Sequence, residues 1–491
     1  MTENTVKALP QISTLQLTPG DRAMGRLASI NLPDAPEGDA QADLAGDIFF
    51  EMFQSSPTAR EEVPEERGVN RSLLDWMGST HGWGEARTST IANMPASMAA
   101  SGLMWAHLQT DEVLKEALNQ QEEASQKTAE AKAKQMAADA MAQSSNREMQ
   151  RQAGQVQAEA DQLRQEAAAA AAAAQAIVED AQGKPFKQAA MMAAAKEASK
   201  EAGETAEAMA GWGLGPGSHI YSDPKAAQDF LAANQGKIAR IARLAGRMRG
   251  FALQSRKERV PMGFVPTEVG LTQDLMRLFP TELFLLRPDA PAFLRVGKVT
   301  QFMEAGLLGY KPVGDAEKRG PFVAAVDVSP SMRVGDREIV AKAVALGVAQ
   351  VAKQEGRPYV LFAFGSDKRL MTAVTSKDDW SAHLNWTANS QNGGTDFDMA
   401  LTEVMRHLVE MGKDSKGADA LFISDGEAGV GQGTRSDWRD FAAQTGARLL
   451  YVPVAKSYYT DMEDTADKVI HVADLDEDAG EELAGELGRI L

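Results

Sequence analysis

Three oxygen-bearing side chains follow one another at two-residue steps where an apolar run stops. FVAAVDVSPSM, at 322–332, ends its run in Asp327 and then presents Ser329 and Ser331. Further on, Gly393 and Gly394 of NSQNGGTDFDMA form a tight turn ahead of Thr395, and LFISDGE closes a second apolar run on Asp425. Carboxylate and hydroxyl oxygens are hard donors, the kind that Mg2+ or Mn2+ takes while keeping part of its water, and the same list disfavours zinc. A strand closed by a Ser/Pro turn is the plainer reading of 327–331 alone. The later Thr395 and Asp425 turn the balance towards a metal. Hydrolysis is the competing use of such an ion, with Asp327 or Asp425 orienting a water and Asp396 as base. His383 and His407 read more simply as helix residues than as general bases, and no second cluster stands out. The expectation is therefore a binding protein and not an enzyme.

These residues must be held by an α/β domain. PFVAAVD, YVLFAFG, ADALFISD, RLLYVPV and KVIHV read as strands, with LMTAV as a short additional one. EIVAKAVALGVAQVAKQEG, TDFDMALTEVMRHLVEMG and the stretch near RSDWRDFAAQTG read as helices between them. Near-continuous apolar strands alternating with helices predict a doubly wound, mostly parallel, Rossmann-like sheet covered on both faces. In such sheets the carboxyl ends of the strands form the functional edge. Asp327 and Asp425 stand at two such ends, and the turn before Thr395 opens a helix, so the five oxygen donors can meet there.

Upstream the chain reads as four segments. Residues 1–42 carry Pro10, Pro33 and Pro36 among polar residues and suggest a flexible arm, and 43–110 read as a small helical region. Residues 111–210 are rich in Ala, Gln and Glu, with an unbroken alanine run from Ala167 to Ala174. These are strong helix formers. Regular large residues at the a and d positions are missing, which predicts a long antiparallel hairpin or a loosely packed stalk and not a strict leucine-type coiled coil. Met136, Met141, Met149, Met191 and Met192 read as gap fillers between those helices. GWGLGPGS breaks the pattern at 211–218, and 211–320 read as a helical connector with a basic amphipathic helix. Ile238, Ile241, Leu244 and Met248 form its apolar stripe, flanked by Arg240, Arg243, Arg247 and Arg249. Such a helix packs within its own domain with a solvated basic face, lies peripherally on an anionic membrane surface or grips an acidic protein. The α/β domain spans 321–475, and 476–491 read as an acidic tail.

The chain of 491 residues carries 69 acidic against 51 basic residues, a net charge of -18, which argues against wrapping nucleic acid. It contains no cysteine, so disulfides, thiolate nucleophiles and zinc-thiolate sites are excluded. The first residues lack a basic region followed by an apolar one, and a cytoplasmic protein is expected. GWGLGPGS and VGQGT are rich in glycine but lack the consecutive Lys-Ser/Thr that follows the last glycine of a phosphate loop.

The ordered set Asp327-x-Ser329-x-Ser331, Thr395 and Asp425 resembles the metal-ion-dependent adhesion site of von Willebrand factor A (VWA) domains. The resemblance assigns the first three residues to one metal-binding loop, Thr395 to a second and Asp425 to a third, around Mg2+. Pro330 departs from the Gly that many members carry and leaves both hydroxyl positions intact. EVGLTQDLMRLFPTELFLL, then FLRVGKVTQFMEAGLLGYKP, then RGPFVAAVDVSPSM resemble the bacterial ViaA and CoxE-like branch of the family, over about 260–475. That branch carries a leucine-rich helix ending in Pro-x-Glu-Leu, then a Leu-x-Tyr strand. It implies a protein-binding adaptor or co-chaperone that works with a separate MoxR-type AAA+ ATPase on a target protein. A structural or assembly protein with a VWA subunit contact, an extracellular adhesion module and a magnesium-dependent hydrolase are the alternatives.

Overall fold

The computed structural model describes residues 36, 38–57, 63–144, 146–215, 217–257, 268–272, 278–287, 295, 298–302, 306–311, 320–390, 394–411, 417–426, 428–454, 461–472 and 476–490. Most of the expected arm at 1–42 lies outside them. The chain divides into two compact units, 1–246 and 247–491.

In the first unit, α1 (Asp39–Phe53), α2 (Gly68–Gly78), α3 (His81–Thr90) and α4 (Met94–Thr110) close around Leu44, Ile48, Leu73, Trp83 and Trp105. The Asp111 carboxylate then caps α5 (Glu112–Ala142), accepting from the amides of Val113 and Leu114. Lys187 holds the same carboxylate at 2.6 Å. After a short turn capped by Asn146, α6 (Arg147–Gly183) runs back along α5. Lys127 meets Glu166 and Lys134 meets Glu159, so one index rises as the other falls and the pair is antiparallel.

The seam between these helices is a repeat of alanines. Ala124, Ala131 and Ala138 on α5 and Ala153, Ala160, Ala167, Ala174 and Ala181 on α6 are buried, each seven residues from the next. A seven-residue apolar repeat keeps one stripe facing a partner helix. With methyl groups in that stripe the axes can approach to the short end of the usual 8–10 Å range. The absence of large a and d residues is thus the packing rule of the hairpin and not a sign of loose packing. The methionines do not fill gaps as a class. Met191, on α7 (Pro185–Gly211), is fully buried, but Met136, Met149 and Met192 are 73%, 39% and 56% exposed.

After α8 (Pro224–Ala233) comes the basic helix α9 (Gly236–Lys257), within which the division between units falls. Ile241, Leu244, Ala245 and Met248 are buried, so the stripe that would enter a lipid interface is covered by protein. Arg243 pairs with Glu204 of α7, Arg247 pairs with Glu477 and Glu481, and Arg240 and Arg249 are partly buried. Internal packing is the reading that holds for this helix. Among the described residues no helix is long and apolar enough to cross a membrane.

The second unit pairs β1 (Glu268–Thr272) with β2 (Leu307–Lys311) in antiparallel fashion, with α10 (Pro280–Leu286) between them in sequence. The stretch EVGLT is therefore a strand and not part of a leucine-rich helix. The main sheet has six strands in the order β5-β4-β3-β6-β7-β8: β3 (Phe322–Asp327), β4 (Tyr359–Phe364), β5 (Thr372–Thr375), β6 (Asp419–Ser424), β7 (Arg448–Pro453) and β8 (Lys468–Val469). All pairs are parallel except the edge strand β5 against β4.

Every residue of β3, β4 and β6 is buried, as a sheet covered on both faces requires. Val323, Phe362 and Phe422 face α13 (Phe397–Glu410) and α14 (Gln432–Thr445), while α11 (Arg337–Gln354) packs on β3 and β4. An additional helix, α12 (Trp380–Ala388), lies between β5 and α13 in sequence. The expected acidic tail is also a helix, α15 (Glu477–Ile490), because Leu483, Ala484 and Leu487 recur on one face and are buried.

Candidate metal centre

Asp327 ends the central strand β3, flanked by β4 and β6, and is completely buried. Two hydrogen bonds fix its carboxylate. The Ser329 amide donates to Oδ1 at 2.8 Å, and the Ser424 hydroxyl donates to Oδ2 at 2.6 Å. Burial pushes the carboxyl up to about 6, the bonds from Ser424 and Ser329 oppose the rise, and the nearby negative charge of Asp425 adds to it. A cation beside these carboxylates would reverse that penalty.

The hydroxyls of Ser329 and Ser331 are 3.1 Å apart, at the start of a short 3-10 turn (Pro330–Arg333) that Pro330 opens. Two oxygens bound at right angles to an ion at 2.0–2.1 Å stand about 3 Å apart, so this spacing suits neighbouring positions on Mg2+ or Mn2+. Asp425 follows β6 directly and is 6% exposed. Gly426 turns the chain away from it at φ 80°, a left-handed conformation that favours glycine.

Thr395 is partly buried and immediately precedes Asp396, the N-cap of α13. The Asp396 amide donates to the Gly365 carbonyl at 3.3 Å, just past the end of β4. Since Phe364 is the register partner of Asp327, Thr395 belongs to the same carboxyl edge as the first loop. The Asp396 carboxylate accepts from the Met399 amide at 2.9 Å and so caps α13.

The two histidines fit the plain reading. His383 is buried, accepts or donates at 2.8 Å with the Tyr359 hydroxyl and bonds the Asp379 carbonyl at 2.7 Å, while His407 sits on α13 against Phe362. Among the described residues no group of three or more His, Cys, Asp or Glu gathers as a metal cluster. The donor set here has two carboxylates and three hydroxyls, a composition that suits a hard ion with retained water. Ser424 escapes sequence reasoning because it closes an apolar strand as a single polar residue. Its signal is its place next to Asp425 and opposite the end of β3.

No family model matches the chain. It is 31% identical over 249 residues to one uncharacterised protein of Methanocaldococcus jannaschii, covering 50% of this chain and 55% of that protein. A second uncharacterised protein of the same organism is 26% identical over 222 residues, covering 45% and 55%. The regulatory protein ViaA of Proteus mirabilis is 29% identical over 174 residues, covering 32% of this chain and 34% of that protein. The chain thus spans about half or less of the curated relatives it matches. Among solved structures, the crystal structure of the Deinococcus radiodurans RO (RSR) protein aligns over 98% of this chain and 95% of that one, at 14% identity and a TM-score of 0.27, too low to carry an argument.

Proposed function

We propose that the α/β domain is a metal-dependent protein-docking module, and that the chain works as an adaptor between a separate MoxR-type AAA+ ATPase and a target protein. The observation that carries this reading is the buried Asp327 carboxylate, oriented by Ser424 and Ser329, with the paired hydroxyls of Ser329 and Ser331 at the same edge. Asp327, Ser329, Ser331, Thr395 and Asp425 would hold Mg2+, with Mn2+ as a substitute. The ion would leave a position for a carboxylate supplied by a partner, giving the contact direction and sensitivity to chelators. The surrounding surface supplies most of the affinity, since specific interfaces bury on the order of 1,200–2,000 Å².

The partial similarity to a protein named as regulatory supports a regulatory role in general. The ATPase partnership rests on the resemblance of 260–475 to the ViaA and CoxE-like branch. The test is affinity capture with the full chain in Mg2+, in chelator and as Asp327→Ala, followed by identification of retained proteins and an ATPase assay. An AAA+ protein retained only in the metal-competent sample is the expected result. Equal retention in all three moves the contact away from the edge. Metal-dependent turnover with no AAA+ partner in any sample overturns the adaptor reading.

A further inference from the structure

Lys342 is a fully buried cation in the second turn of α11. Its ammonium bonds Glu338 Oε1 at 2.7 Å, the Thr387 carbonyl at 3.0 Å and the Asn389 carbonyl. An ammonium has three donors, and these acceptors match them. Glu338 Oε1 also accepts from the Ser390 hydroxyl at 2.7 Å. The three anchored residues stand at the end of α12 and on the stretch that leads to Thr395. The Asn389 amide group holds that stretch from its other side, donating to the Leu370 carbonyl at 3.2 Å and to the Thr372 hydroxyl at 2.7 Å.

At this same end α11 continues the loop of Ser329 and Ser331, beginning at Arg337, one residue before Glu338. A buried ion pair contributes little net stability compared with well-packed apolar residues, because desolvation offsets the attraction. What this pair supplies is position: it ties the start of the helix that follows the two serines to Thr387, Asn389 and Ser390, which precede the threonine in sequence.

We infer that Glu338 and Lys342 form a positioning clamp that sets Thr395 in register with Ser329 and Ser331, so that the metal centre is assembled before an ion arrives. This inference rests on the metal reading above. Outer partners that orient metal ligands commonly change affinity 10–100-fold when removed, and that is the scale of loss expected here.

The test compares four full-length proteins: wild type, the double variant Glu338→Leu/Lys342→Met, Thr395→Ala, and the triple variant. The double substitution replaces both charges, so neither is left buried alone. Mn2+ affinity and metal-free amide exchange over 387–396 are measured on each, with circular dichroism confirming the fold. The clamp predicts a roughly 10–100-fold loss of Mn2+ affinity and faster exchange over 387–396 with β3 and β6 unchanged. It further predicts that Thr395→Ala costs nothing more once the clamp is gone, a non-additivity that general destabilisation would not produce.

Unchanged exchange and affinity, or full additivity with Thr395→Ala, overturns the clamp. If the wild type binds no Mn2+, the metal reading falls, while exchange still decides whether the pair holds the stretch. Should the double variant fail to fold, Ser390→Ala removes one exposed hydroxyl and leaves the ion pair intact. Faster local exchange and a few-fold loss of affinity are then expected, and no change in either overturns the clamp.

Discussion

Asp327 bears a cost that its neighbours only partly offset. Its folded pKa, about 6, lies above the ordinary carboxylate value of 3.8. Stability contributed by the protonated form is therefore complete below the ordinary value and lost as pH rises through 6. In chelator, unfolding free energy should fall by about 2 kcal/mol between pH 4 and pH 7 relative to Asp327→Asn, at 1.36 kcal/mol per unit and with part of the loss already complete at pH 4. Urea denaturation of both proteins across that range checks the sign, and parallel curves contradict it. Ser424→Ala removes the donor to Asp327 Oδ2 without removing any of the five proposed ligands. Mn2+ affinity should fall about tenfold, within the range for outer partners of metal ligands, and calorimetric titration would show it. The places of Asp327 and Asp425 were legible in sequence because acidic residues that close apolar strands stand out. Ser424 and Lys342 were not, since one polar residue within an apolar element looks the same whether it faces solvent or a buried partner.

The hairpin of α5 and α6 shows how much small residues can specify. Its helices were legible from composition, but its seam was hidden because the alanines at the interface are the same residue as those facing water. Only the pairing of the helices separates Ala160, fully buried, from the exposed Ala168. Ala160→Leu should overpack the seam and destabilise the hairpin by about 1–3 kcal/mol, whereas Ala168→Leu should change stability by less than about 0.5 kcal/mol. Thermal melts of the two variants decide this, and equal shifts would contradict the alanine repeat. Exposure also ranks the methionines: peroxide should convert Met136 and Met192 to sulfoxide well before Met191, as peptide mapping can read. The parallel strands were legible from their apolar runs. The strand EVGLT was hidden because its partner Leu307–Lys311 lies 35 or more residues away, and the last helix because charge masks its Leu483 and Leu487.

At the scale of the molecule, a helical unit built on alanine repeats and an α/β unit with an oxygen-rich sheet edge share one chain. Alanine seams and capped helices shape the first unit, while the second gathers carboxylates and hydroxyls where parallel strands end. Docking, the adaptor role and the clamp all depend on whether that edge takes an ion. Calorimetric titration of the full chain with Mn2+ and with Mg2+, beside Asp327→Ala at the same pH, tests this most directly. One saturable site per wild-type chain, absent in a variant with unchanged circular dichroism, is the predicted result. Equal binding by both proteins, or none by the wild type, would contradict the metal centre.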